Sequence, residues 1–137
     1  MNIHPILLTS LCAVFLGACS LPTAEQRQAI KHGQVIYAKE CAQCHGPTGQ
    51  GAGEASLGLG VAPPDLTLLS AGNDGEFPRE FVRRYVLGLV EKDDPEAAMP
   101  EFKTVGLRHV YPKGGADGEV LEADFSDLLE YLEKIQK

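Results

Sequence analysis

The sequence predicts an all-α domain. Three segments carry apolar residues at helical spacing, and the stretches between them are rich in Gly and Pro. The segments are Ile30, Gly33, Tyr37 and Cys41; then Phe81, Val82, Tyr85, Val86 and Leu89; then Leu121, Phe125, Leu128, Leu132 and Ile135. A chain of 137 residues that is 44% hydrophobic suits one such domain with a short tail. Its formal charge is −7, with 12 Lys and Arg against 19 Asp and Glu. Nucleic acid is excluded as a partner, because binding it needs a basic face. A partner with a basic docking patch suits the charge, although the charge also serves plain solubility.

The amino end stands apart from the fold. Ile6 to Ala18 is mostly apolar and uncharged. It is shorter than the roughly 20 residues that span a bilayer, so residues 1–18 read as an export signal. Leu16-Gly17-Ala18-Cys19 resembles a bacterial lipobox. That resemblance implies that Cys19 becomes the lipid-modified first residue, and that several acyl chains anchor the protein to a membrane. Residues 19–26 then form a lipid-anchored spacer, and Ser20 after the cysteine favours the outer membrane. The segment Met1 to Pro5 departs from the pattern in having no Lys or Arg. Two other readings therefore stand beside it: an ordinary signal peptide cut near Ala18, which leaves a soluble periplasmic protein, and a retained membrane helix.

The domain is expected over 27–137, with its first helix over Arg27 to Cys41. Gly33 costs stability within a helix and makes sense where a second helix crosses closely. Of the four cysteines, Cys12 leaves with the signal and Cys19 is the lipid site. Cys41 and Cys44 remain as a close pair, so no separate disulfide framework is left.

That pair belongs to Cys41-Ala42-Gln43-Cys44-His45, a C-x-x-C-H run. Two thiols separated by two residues on a helical turn reach both vinyl groups of one haem, and the adjacent His45 faces the iron from the same side. A zinc site needs four ligands, and no second C-x-x-C exists to supply them. A thioredoxin-like pair follows a strand, whereas the segment before Cys41 reads as a helix. A macrocycle also suits a chain with no Trp and 7% aromatic residues, which has few large rings with which to fill a core.

With these residues in place, the chain resembles a class I cytochrome c, with three main helices and loops wrapped around one covalent haem. The resemblance covers about residues 27–137. Gly33 and Tyr37 stand eight and four residues before Cys41, where the family carries a Gly and an aromatic. Leu128-Leu129-Glu130-Tyr131-Leu132 resembles the family's last helix, which implies that Leu128 and Tyr131 pack across Gly33. Of two methionines, Met1 leaves with the signal, and Met99 lies in Ala98-Met99-Pro100-Glu101-Phe102, which resembles the family's Met-Pro ligand loop. The resemblance implies that Met99 is the second axial ligand beside His45, a pairing that raises the potential. A core gap-filler is the other reading of Met99. His109 is the competing ligand, and His32 sits on the wrong side of the haem motif. Pro64-Asp65-Leu66 fits the family's Pro whose backbone carbonyl orients the haem histidine. Pro63 is the neighbouring alternative, and a rigid turn is the plainer role for either proline.

Several stretches between these landmarks are also legible. Gly46 to Gly60 has no strand before it and no Lys-Ser/Thr to close it as a phosphate loop, and it is expected to wrap the haem. Asn73-Asp74-Gly75 reads as a turn, Pro78 as a first helical residue and Gly88 as a helix end. Phe81, Val82, Tyr85, Val86 and Leu89 are expected to wall the haem pocket. Arg83 and Arg84 suit either haem propionates or a solvated face. The 104–120 segment is longer than compact family members need; it includes a turn or small hairpin over Val110 to Gly115, and its role stays open.

Function follows from ligation. A six-coordinate His/Met iron has no open site for substrate, so the chain is expected to transfer electrons between a redox donor and acceptor and not to be an enzyme. Three settings are distinguishable: a membrane-tethered periplasmic carrier, a subunit of a dehydrogenase or terminal-oxidase complex, and a haem that releases Met99 to bind peroxide or a gas.

Overall fold

The structure is a computed structural model that describes residues 21–91, 99–102 and 118–137, with residues 118–121 described by backbone alone. The expected export signal and Cys19, His109 and the Val110 to Gly115 turn lie outside the described residues. Among the described residues, all regular structure is helical. No described helix is long and apolar enough to cross a membrane.

Thr23 opens the first helix, α1 (Ala24–Glu40), by accepting a hydrogen bond from the Gln26 backbone N–H. Thr-x-x-Gln is a capping pattern, so the helix starts three residues earlier than its apolar spacing alone predicts. One residue, Cys41, separates α1 from the single turn α2 (Ala42–His45). Two short 3-10 turns follow, Glu54–Ser56 and Leu66–Leu68. Asp74 and Gly75 take φ of 53° and 84°, and the Gly75 N–H donates to the Ser70 carbonyl, closing the expected turn.

Helix α3 (Arg79–Leu87) begins one residue later than expected, with Pro78 in the cap position. It ends at Gly88, which adopts the left-handed conformation that only glycine takes without strain. The Leu89 N–H then bonds the Arg84 carbonyl. The face expected to line a pocket is split. Val82 and Val86 turn inward with Leu87, whereas Phe81 and Leu89 are 55% and 40% exposed. The last helix, α4, spans Gly118–Lys134.

α1 crosses α4 at Gly33. A Cβ built there would lie 1.9 Å from the Asp127 carbonyl oxygen and 3.0 Å from the Leu128 backbone nitrogen. Backbone meets backbone at that point, so no side-chain rotation could make room. Around the crossing, Ile36, Tyr37, Phe125, Leu128, Leu129, Tyr131 and Leu132 are buried. The Tyr37 and Tyr131 rings lie 5.3 Å apart at a tilt of 47°, a favourable aromatic geometry. Phe102 meets Phe125 edge-on at 6.2 Å. Full burial of each large side chain is worth roughly 1.5–3 kcal/mol, so this interface is the principal source of cohesion.

Polar contacts fix the angles between helices. His32 Nδ1 is 2.8 Å from Asp127 Oδ2 at the same crossing, which commits His32 to α4. From α3, Arg79 bonds Glu130 and Glu133, each at 2.9 Å, and Arg83 pairs with Glu122. Both arginines face α4, and Arg84 donates to the Leu89 carbonyl near the end of its own helix. Such exposed pairs are worth at most about 1 kcal/mol each; they orient α3 more than they hold it.

Gly33→Ala tests the crossing. Helix propensity alone would favour alanine by about 1 kcal/mol. Overpacking against an immovable backbone costs about 1–3 kcal/mol or more, so the clash should win. Thermal unfolding by far-UV circular dichroism should show a lower Tm, by several degrees. An unchanged or raised Tm would mean that the helices do not approach so closely.

Candidate functional site

The site is built on a break between helices. Cys41 has φ −116° and ψ −36°, so its N–H still closes α1 on the Tyr37 carbonyl while the chain turns into α2. His45 N–H bonds the Cys41 carbonyl at 2.9 Å, which makes Cys41, Cys44 and His45 members of one turn. At its end Gly46 takes φ 76° and reverses the chain.

The glycine-rich loop then folds back on α2 itself. The Gly51 N–H donates to the His45 carbonyl at 2.9 Å, and the Gly53 N–H to the Cys44 carbonyl at 3.0 Å. These bonds satisfy carbonyls that a short helix leaves without partners. Gly51 also has φ 84°, and a Cβ there would press on the Pro63 carbonyl oxygen at 2.9 Å. Close backbone approach also lets the loop pack on its own helix, since a Cβ at Gly53 would lie 2.2 Å from the Gln43 carbonyl oxygen.

Tyr37 ties this turn to the core. Its hydroxyl donates to the Gly46 carbonyl at 2.6 Å. Burial holds the phenol well above its usual range, with the charges of Cys41 and Tyr131 adding to the effect, so the hydroxyl remains a donor. The aromatic identified from its spacing before Cys41 therefore does more than pack: its polar end reaches the residue next to His45.

His45 is buried at 7% exposure, and its Nδ1 lies 3.4 Å from the Pro64 carbonyl oxygen. Burial lowers the imidazole pKa, and the contact with Pro64 opposes that shift. A neutral ring that keeps its Nδ1 proton for Pro64 leaves the lone pair on Nε2. Pro64, and not Pro63, stands at this position.

The cysteines are partly buried and free of disulfide. Burial pushes the Cys41 thiol up to about 12, with Glu40 and Cys44 contributing. A nucleophilic redox pair needs a depressed thiol pKa, so this environment opposes thioredoxin-like chemistry. Met99 is partly buried against the same apolar cluster that Cys41, Ala42 and Leu66 border. Among the described residues, no three His, Cys, Asp or Glu side chains converge to hold a bare metal ion. Two thiols on one turn, an imidazole lone pair beside them and a thioether on the shared core form a donor set that fits a covalently tethered haem iron.

Reading of the sequence missed Gln136, which links the end of α4 to the 66–70 segment through Leu66 and Ser70. A lone glutamine near a helix end carries no pattern that could have revealed it. Asp65 closes a local turn, its Oδ1 accepting from both the N–H and the hydroxyl of Thr67.

No curated protein and no solved structure matches this chain. The sequence profile of the family described as Cytochrome c matches residues 30–136, taking in most of α1 and all of α2, α3 and α4. Spanning the site and the helices that carry it, this match places the chain in the cytochrome c family, whose members bind haem c covalently and transfer electrons.

Proposed function

We propose that this chain carries one haem c joined to Cys41 and Cys44, with His45 and Met99 as the axial ligands. It then works as a periplasmic electron carrier held to a membrane by lipid on Cys19. A haem supplies a one-electron iron couple. The observation that carries the reading is the buried His45, one residue from Cys44, with its Nδ1 aimed at the Pro64 carbonyl.

The protein's own residues would divide the work. Cys41 and Cys44 would fix the macrocycle against the turn they share. Pro64 would orient the His45 ring and raise its basicity, as carbonyl acceptors do for metal-bound histidines. Met99, stiffened by Pro100, would close the opposite face. With both axial positions taken there is no place for a substrate, which favours electron exchange over catalysis. Backbone bonds on both sides of His45 support fast exchange, since little need move when the charge on the site changes.

The −7 charge suits a redox partner that presents a basic patch. Attraction between opposite fields raises encounter rates and is screened by salt. Electron exchange with a basic partner should therefore slow as ionic strength rises, and stopped-flow mixing across a salt series measures this. A rate indifferent to salt would remove charge from the account of docking.

Optical spectroscopy tests the ligand set. The oxidised holoprotein should show a far-red sulfur-to-iron band. In Met99→Ala the band should vanish while the haem stays covalently bound. Persistence of the band in that variant would assign the sixth position to another residue.

A further inference from the structure

Pro64 is exposed, so packing does not hold its carbonyl against His45. The restraint comes from the residues that follow it. The Leu66 N–H donates to the Gly49 carbonyl at 2.7 Å, which pins the segment to the glycine loop. From the other side comes Gln136, just beyond the end of α4. Its Nε2 donates to the Leu66 carbonyl at 2.8 Å and to the Leu132 carbonyl at 2.7 Å. Its Oε1 accepts from the Ser70 N–H at 2.9 Å. Next to it, the Lys137 N–H donates to the Thr67 carbonyl at 3.0 Å. One side chain thus joins α4 to both ends of the 66–70 segment.

The chemistry at this position selects an amide. Two carbonyl oxygens and one N–H face the group, so it must offer two donated protons and one acceptor. A carboxylate would set oxygen against oxygen at Leu66 and Leu132. Asp65, the one residue between Pro64 and Leu66, is held by its own turn, its Oδ1 accepting from the Thr67 N–H at 2.8 Å and the Thr67 hydroxyl at 2.6 Å, so displacement at Leu66 passes into the Pro64 carbonyl and is not absorbed by a flexible link.

We propose that Gln136 is a positioning residue for the iron ligand: by holding the Leu66 carbonyl it keeps the Pro64 carbonyl on His45 Nδ1, and so sets the electron donation of His45 and the balance between ferric and ferrous states. The inference rests on the reading that His45 ligates a haem iron. A firm hydrogen bond at Nδ1 enriches the imidazole and favours ferric iron; a loosened one favours ferrous iron.

The test uses the full holoprotein and the variants Gln136→Glu and Gln136→Met. Gln136→Glu keeps the acceptor for Ser70 and loses both donations, and it serves if Gln136→Met fails to fold. Arg79→Ala is the control, since it loosens α3 from α4 through Glu130 and Glu133 without touching the 64–70 segment. Two readouts accompany the Tm: exchange of the His45 ring N–H with water, followed by NMR, and the ferric-to-ferrous ratio at a fixed applied potential. Both Gln136 variants should exchange this proton about fivefold faster, the factor that corresponds to one hydrogen bond of ordinary net strength, and should move the ratio toward ferrous. Arg79→Ala should lower Tm alone. If the Gln136 variants lower Tm but leave exchange and ratio at the parent values, the role is merely structural and the proposal is overturned. Failure of the underlying reading would appear in the parent, as the absence of any haem-shifted His45 ring signal, and would overturn the proposal with it.

Discussion

The contact between Gly33 and the Asp127–Leu128 backbone is the constraint on which the rest of the molecule depends. It sets the separation of α1 and α4 at backbone distance. Only at that separation do Tyr37 and Tyr131 pack ring to ring, and only then does α4 end where Gln136 reaches Leu66. The site residues come from three separate stretches, Cys41–His45, Pro64 and Met99, and the crossing provides the common frame for the first two. A single extra carbon at residue 33 would act on the whole of this frame, because its contacts are backbone atoms that cannot give way.

From that frame two lines of hydrogen bonds run to His45. The first passes from the core through the Tyr37 hydroxyl to Gly46, at the end of α2. The second passes from α4 through Gln136 to Leu66 and on to Pro64. Between them lies the glycine loop, bonded to α2 through Gly51 and Gly53 and to Leu66 through Gly49. Each bond is worth about 1 kcal/mol net, too little to dominate stability. Their value lies in direction, because they keep an imidazole ring in one orientation. This is the form of rigidity that suits a centre whose charge changes by one unit without a change in geometry.

Much of this was legible in the sequence because the informative residues lie close together. C-x-x-C-H fixes three groups within five residues, and Gly33 and Tyr37 are placed by counting back from Cys41. The three long helices follow from apolar spacing, since each buries one face. Boundaries were less legible. The start of α1 is set by the Thr23 side chain and not by hydrophobicity, and the face of α3 is divided because Arg79 and Arg83 turn it toward acidic residues of α4. Least legible were contacts whose partners are distant along the chain. His32 with Asp127, and Gln136 with Leu66 and Ser70, join residues with no shared pattern; only the fold brings them together.

Attachment through Cys41 and Cys44 is the central claim, and mass spectrometry of the denatured, protease-digested holoprotein tests it most directly. The account predicts that the peptide containing Cys41 to His45 carries the added mass of one haem, retained after acidified organic solvent. Recovery of that peptide at its bare mass, with the pigment released into the solvent, would contradict it.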